Sequence, residues 1–149
     1  MFETSAYEAA PGAGDYPVYL TLLPLPIACF VGVLITDIVY WWTYEMMWAD
    51  FSAWLLVIGV ILGLIAIVAV LICVFRDRYV RRQGLMGPFA ASGIVALILA
   101  VFNLLIHSRD AWTSVVPSGL ILSCATVAVS VVCGCLAWCV APRNRGARL

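Results

Sequence analysis

Residues 53–75 read AWLLVIGVILGLIAIVAVLICVF, without a single charged side chain. About 20 consecutive apolar residues in a helix cross the hydrocarbon core of a bilayer. A segment this apolar has no polar face to show water, so lipid is its natural solvent. Lipid offers the backbone no hydrogen-bonding partner, which makes the segment a helix.

Both flanks of this stretch carry information. Downstream, FRDRYVRRQG (75–84) holds Arg76, Arg78, Arg81 and Arg82. Upstream, the connection over about 43–52 carries no basic residue. Three further apolar runs surround this pair of flanks. The first, about 22–42, opens on Pro24 and Pro26, both tolerated in a first helical turn. The third, about 88–107, begins at Pro88, and the fourth, about 117–140, begins at Pro117 and is followed by Pro142. Four long helices with short connections alternate in direction. The expectation is an all-α integral membrane protein, a four-transmembrane-helix up-down bundle over 21–141. A flexible N-terminal tail (1–20) precedes it and a basic C-terminal tail (142–149) follows.

Composition agrees. The 149 residues are 65% hydrophobic and 11% charged, against about 25% charged in soluble domains. The N-terminal MFETSAYEAAPGAGDYPVYL contains Glu3, Glu8 and Asp15 but no basic residue, unlike a secretory signal. Net charge is zero, which gives no field for nucleic acid.

Every basic side chain is Arg, and they are unevenly spread. The second connection has four, the C-terminal tail has Arg143, Arg145 and Arg148, and the third connection has only Arg109. Cytoplasmic segments retain the excess of basic residues, so both termini are expected in the cytoplasm. The same arginines suit anionic lipid headgroups. Trp41, Trp42, Trp48, Trp54 and Trp112 fall near the opposite, outer ends, where an amphipathic ring prefers to sit. Tyr16, Tyr19, Tyr79 and Trp138 are expected to mark the inner boundary.

Helices in lipid associate through small residues. Gly32 lies on the first run, Gly59 and Gly63 on the second, Gly93 on the third, and Gly119, Ser123, Ser130 and Gly134 on the fourth. Each run thus has a face suited to close packing.

The polar exceptions are few. Asp37 is the one carboxylate well inside a span, and Asn103 and His107 share a face of the third run. Opposite helix directions bring all three to the outer half of the bilayer, with Arg109 and Asp110 following in the outer connection. Ionisable groups in a membrane usually face the bundle interior with a partner. This cluster is either a structural tie between helices or a proton-handling or ligand-binding site. His107 is the only histidine, so one chain cannot hold haem between two His ligands. Cys133, Cys135 and Cys139 do not share one helical face, and no second Cys/His set completes a tetrahedral metal site. No cofactor is required by any motif; haem or quinone are the groups a cluster of this kind would take.

Three segments together resemble a known family: LPLPIACFVGVLITDIVYWWT (23–43), MWADFSAWLLVIGVILGLIAIV (47–68) and FNLLIHSRDAWTSVVPSGLILS (102–123). They are similar to the bacterial membrane family called domain of unknown function 2231, over about 22–135. The Asp37-x-x-Tyr40-Trp41 pattern, the Asn103 to Arg109 segment and Ser118-Gly119 to Ser123 carry the likeness. Relatives often have histidines before the first helix, where Leu23 to Ile27 reads LPLPI. They also often end in a Gly-Gly and Tyr-Arg-His-Gly tail, where this chain reads CLAWCVAPRNRG. A role for those histidines does not transfer. The resemblance implies four inner-membrane spans and no established activity, and some relatives look linked to quinone-dependent sugar dehydrogenases. The resulting expectation is a non-catalytic membrane subunit or scaffold, associated with lipid and other membrane subunits, in an assembly such as an electron-transfer complex. A small redox protein and a small transporter are the alternatives.

Overall fold

The computed structural model describes residues 18–76, 84–108 and 115–145, with side chains to Val140. Among them the structure is all helical: α1 (Val18–Leu22), α2 (Pro24–Thr43), α3 (Met46–Arg76), α4 (Met86–His107) and α5 (Leu120–Arg145). Four segments are long and apolar enough to span a membrane: Val18–Thr43, Met46–Arg76, Met86–His107 and Val115–Val140. Arg78, Arg81, Arg82, Arg109, Asp110, Trp112, Arg148 and the segment 1–17 lie outside the described residues, as do the side chains of Arg143 and Arg145.

The helices pack as a ring in which α2 meets α3, α3 meets α4, α4 meets α5 and α5 returns to α2. Only 22–28% of each span's most apolar window is buried inside the bundle. Most apolar side chains therefore point outward, as lipid-solvated helices require.

The first span starts before its prolines. Val18–Leu22 is already helical, and Leu23 keeps helical dihedrals (φ −59°, ψ −37°) with its N–H on the Tyr19 carbonyl at 3.0 Å. Pro24 and Pro26 then interrupt the ladder, because neither has an N–H to give. Tyr19, expected at the inner headgroup level, instead points inward: it is 1% exposed and its ring stacks on Phe89 at 5.7 Å. Trp138 does face outward, 81% exposed.

The connection between the first two spans is Tyr44–Glu45 alone. Tyr44 closes α2 in the left-handed region (φ 56°) and returns its N–H to the Tyr40 carbonyl at 2.8 Å. α3 begins at Met46, so most of the stretch expected as a loop is helix. Its 31 residues rise about 46 Å, longer than a hydrocarbon core of about 30 Å. The polar and aromatic residues Trp48 and Asp50, which read as loop in sequence, occupy its first turns. The start of the fourth span is irregular. Val116 is extended (φ −123°, ψ 128°), as the residue before a proline tends to be, and the Val116–Pro117 bond is cis.

Glycines set the closest helix contacts. A Cβ on Gly59 would fall 2.7 Å from a ring carbon of Phe30 and 3.1 Å from Cys29 Cβ; one on Gly63 would meet Leu97 at 3.1 Å, and one on Gly32 would meet Leu55 at 3.2 Å. α2, α3 and α4 approach as closely as these glycines permit. Gly93 and Gly134 are looser, with Cys133 Sγ at 3.7 Å and Ile27 at 3.5 Å, while Gly119, Ser123 and Ser130 are buried on the α5 side.

Three apolar layers stack along the bundle. Tyr19, Val70, Met86, Phe89, Cys133, Ala137 and Val140 fill one end. Phe30, Val33, Leu56 and Ala100 fill the middle, and Tyr40, Ala49 and Val115 the other end.

Candidate functional site

A polar layer lies between the middle and the Tyr40 end of this stack. Asp37 on α2 is completely buried, and side chains from all the other spans reach it. Ser52 on α3 donates its hydroxyl to Asp37 Oδ1 at 2.6 Å. Ser123 on α5 donates to Asp37 Oδ2 at 2.5 Å. His107, the last residue of α4, sets Nε2 3.1 Å from Oδ1, crossing the ring of helices on its diagonal.

Two further residues extend the layer. Thr36 Oγ1 lies 2.7 Å from Ser52 Oγ and also reaches the carbonyls of Gly32 and Val33 at 3.0 and 2.9 Å. Asn103 Nδ2 donates to Ser123 Oγ at 2.8 Å, and the Asn103 carbonyl faces His107 Nδ1 at 3.0 Å. The carboxyl group thus has a serine donor at each oxygen, Ser52 at Oδ1 and Ser123 at Oδ2, and Ser123 in turn accepts from Asn103 Nδ2. A carboxyl group has several lone-pair positions at which to accept, so the hydrogen bonds from Ser52 and Ser123 offset part of the cost of its burial. One acceptor stays unused: Asn103 Oδ1 is buried with no hydrogen-bond partner.

The local sequence explains the placement. Asp37 is seven residues before Tyr44 and Ser52 seven after Glu45, so a two-residue turn brings them to one depth. Asp37, Asn103 and His107, singled out in the sequence, come together; Arg109 and Asp110 fall outside the described residues. The sequence pattern marks neither Ser52 nor Thr36 as part of the cluster, and it marks Ser123 only as a packing residue. The signal that finds Ser52 is this equal spacing about a tight turn. The signal for Ser123 is its position a few residues into α5, level with the end of α4.

The cysteines stand apart. All six are free thiols: Cys124, Cys135 and Cys139 face outward, and Cys133 is buried with Sγ 3.9 Å from the Phe89 carbonyl. Among the described residues no three His, Cys, Asp or Glu side chains gather as a metal site. A cavity of about 60 Å³ lies away from the polar layer, nearer the Tyr19 end, between Pro26, Phe30, Gly63, Phe89 and Ser130. Its walls are almost wholly apolar, with Ser130 and the Cys133 thiol as the polar exceptions.

These features define a four-span integral membrane protein held at its centre by a buried, multi-helix polar network. The chain belongs to the DUF2231 family of predicted membrane proteins, whose model matches residues 16–145. No curated protein and no solved structure matches the chain.

Proposed function

We propose that this protein is a non-catalytic membrane subunit or scaffold of a larger membrane assembly, an electron-transfer complex being the class that the family likeness suggests. The supporting observation is the closure of the polar layer. Asp37 is 0% exposed and its partners come from all the other spans, so the group most suited to chemistry is used to hold the bundle together. What the bundle offers outward is surface: Trp42, Trp54, Phe51, Met47 and Tyr44 are all exposed around the α2–α3 turn. Such a rim suits both headgroups and a neighbouring membrane subunit.

In this reading the chain is a multi-pass protein of a bacterial cytoplasmic membrane. The termini and the Arg76–Arg82 connection are cytoplasmic, and the Asp37 layer sits in the outer half. Purification in a mild detergent followed by mass analysis tests the proposal. A stoichiometric membrane companion is the expected result, and a clean monomer under conditions that preserve other complexes overturns it.

A redox protein binding haem or quinone is the alternative. Both ring nitrogens of His107 are already engaged, so iron ligation would require the contact to Asp37 or to the Asn103 carbonyl to open. A visible absorption spectrum of the purified protein separates the haem version from the subunit reading, and quinone extraction addresses the other.

A further inference from the structure

We propose that Asp37 and His107 together form a buried proton-binding site, holding one shared proton between Nε2 and Oδ1 in the folded bundle. The reasoning is an inventory of donors and acceptors. His107 Nδ1 faces the backbone carbonyl of Asn103 at 3.0 Å, and a carbonyl only accepts, so Nδ1 carries hydrogen. His107 Nε2 faces Asp37 Oδ1 at 3.1 Å. Two bare lone pairs at that separation repel, so a second proton lies between them. Either the imidazole is doubly protonated beside a carboxylate, or a carboxyl O–H donates to a neutral imidazole. The pair is net neutral in both forms, and the proton changes hands between Nε2 and Oδ1 without leaving the site. Removing it leaves an uncompensated negative charge inside the bundle, which is strongly unfavourable there.

The pair is enclosed within the bundle: the His107 side chain is 1% exposed and that of Asp37 0%. On the far side of the layer stand Phe30, Val33, Leu56 and Ala100. The hydroxyls that continue along α5 do not make a path: Thr126 donates to the carbonyl of its own Leu122 at 2.7 Å, and Ser130 Oγ has no partner. On the near side stand Tyr40, Ala49 and Val115, and α4 ends at His107 with the exposed Ser108 after it. Among the described residues, the other titratable groups near this end are Tyr40, whose hydroxyl is directed to Met46 Sδ at 4.0 Å, and the exposed Tyr44, Glu45, Asp50 and Cys124. The ligand is therefore a proton held inside the bundle between the two side chains. This site goes beyond a scaffold role and stands or falls independently of it.

Because His107 is the only histidine, nitrogen-15 labelling of histidine isolates its two ring nitrogens in an NMR spectrum of the full-length protein in lipid nanodiscs. Infrared spectroscopy reports in parallel on a protonated carboxyl, assigned by carbon-13 labelling of aspartate and by its loss in Asp37→Asn. Two results support the site near neutral pH. One is both ring nitrogens protonated with no carboxyl O–H. The other is Nδ1 alone protonated, together with a carboxyl band that shifts with the label. Two results overturn it: hydrogen on Nε2 only, or hydrogen on Nδ1 only with Asp37 ionised. The isotope arm needs no substitution, so a poorly folding Asp37→Asn leaves the test intact.

Discussion

Asp37 and Ser52 stand at equal distances from the Tyr44–Glu45 turn, and the hydroxyl of one lies 2.6 Å from the carboxylate of the other. The shortest connection in the bundle thus places the first donor on the only described carboxylate buried in it. α4 and α5 complete the set through His107 and Ser123. The expected consequences can each be measured.

Asp37→Ala removes the acceptor on which Ser52, Ser123 and His107 converge. Breaking a buried charge pair from one side costs about 3–5 kcal/mol. The thermal midpoint in detergent should fall sharply. In a double-mutant cycle with His107→Ala, the second substitution should add much less than it costs alone, a coupling on the order of 0.5–3 kcal/mol. Additive losses would show that the two side chains do not act as a unit.

Ser52→Ala and Ser123→Ala each delete one hydrogen bond to the carboxyl group. Bonds to charged groups contribute about 1.5–3 kcal/mol, so each variant should lose stability in that range. Asn103→Leu should cost less than Asp37→Ala, because it also removes the unpartnered Oδ1 from the interior. Unfolding in a graded denaturing detergent ranks the set.

Gly59→Ala and Gly93→Ala should part company. The new methyl at 59 would press on the ring of Phe30, which is 4% exposed and has little room to yield. Overpacking of this kind costs about 1–3 kcal/mol. At 93 the methyl meets Cys133 Sγ at an ordinary 3.7 Å, and the helix gains roughly 0.5–1 kcal/mol from losing a glycine. Thermal scans of the two variants side by side should move in opposite directions.

Tyr44 holds a left-handed conformation at the end of α2 while 68% exposed. Glycine adopts that conformation without the clash of roughly 1–2 kcal/mol that a Cβ meets. Tyr44→Gly should therefore hold or raise stability, offset in part by losing the edge contact with Tyr40 at 6.5 Å. Tyr44→Val should lower it. If the two variants unfold alike, the turn is not what fixes the pairing of α2 and α3.

Cysteine labelling tests the orientation expected from the arginines. With the six native cysteines replaced, Glu45→Cys should react with an impermeant maleimide in intact cells, and Gln83→Cys only after permeabilisation. The reverse pattern would invert the bundle.

The four spans were legible because charge is so costly in lipid that the runs nearly exclude it: none occurs from Phe51 to Phe75, and the first run carries Asp37 alone. The depth of Asp37, Asn103 and His107 was legible from alternating helix directions. The partners were less so. Ser and Thr are small and weakly polar, and they serve equally for close packing and for hydrogen bonding, so Ser123 read as a packing residue. Ser52 was hidden for a different reason: Trp48 and Asp50 look like loop, although a helix that outruns the hydrocarbon core can carry both in its first turns. Tyr19 was read as an interface marker because its amphipathic ring suits headgroups, but a place against Phe89 also satisfies it.

A link of two residues between α2 and α3 also constrains how the protein is made. So little chain separates the two crossings that entry as one hairpin is the expected route. Ser52 then travels with Asp37 and shields its acid group from the first moment of insertion. The later helices bring His107 and Ser123 to a carboxyl that is already half accommodated. The order of synthesis and the order of neutralisation coincide.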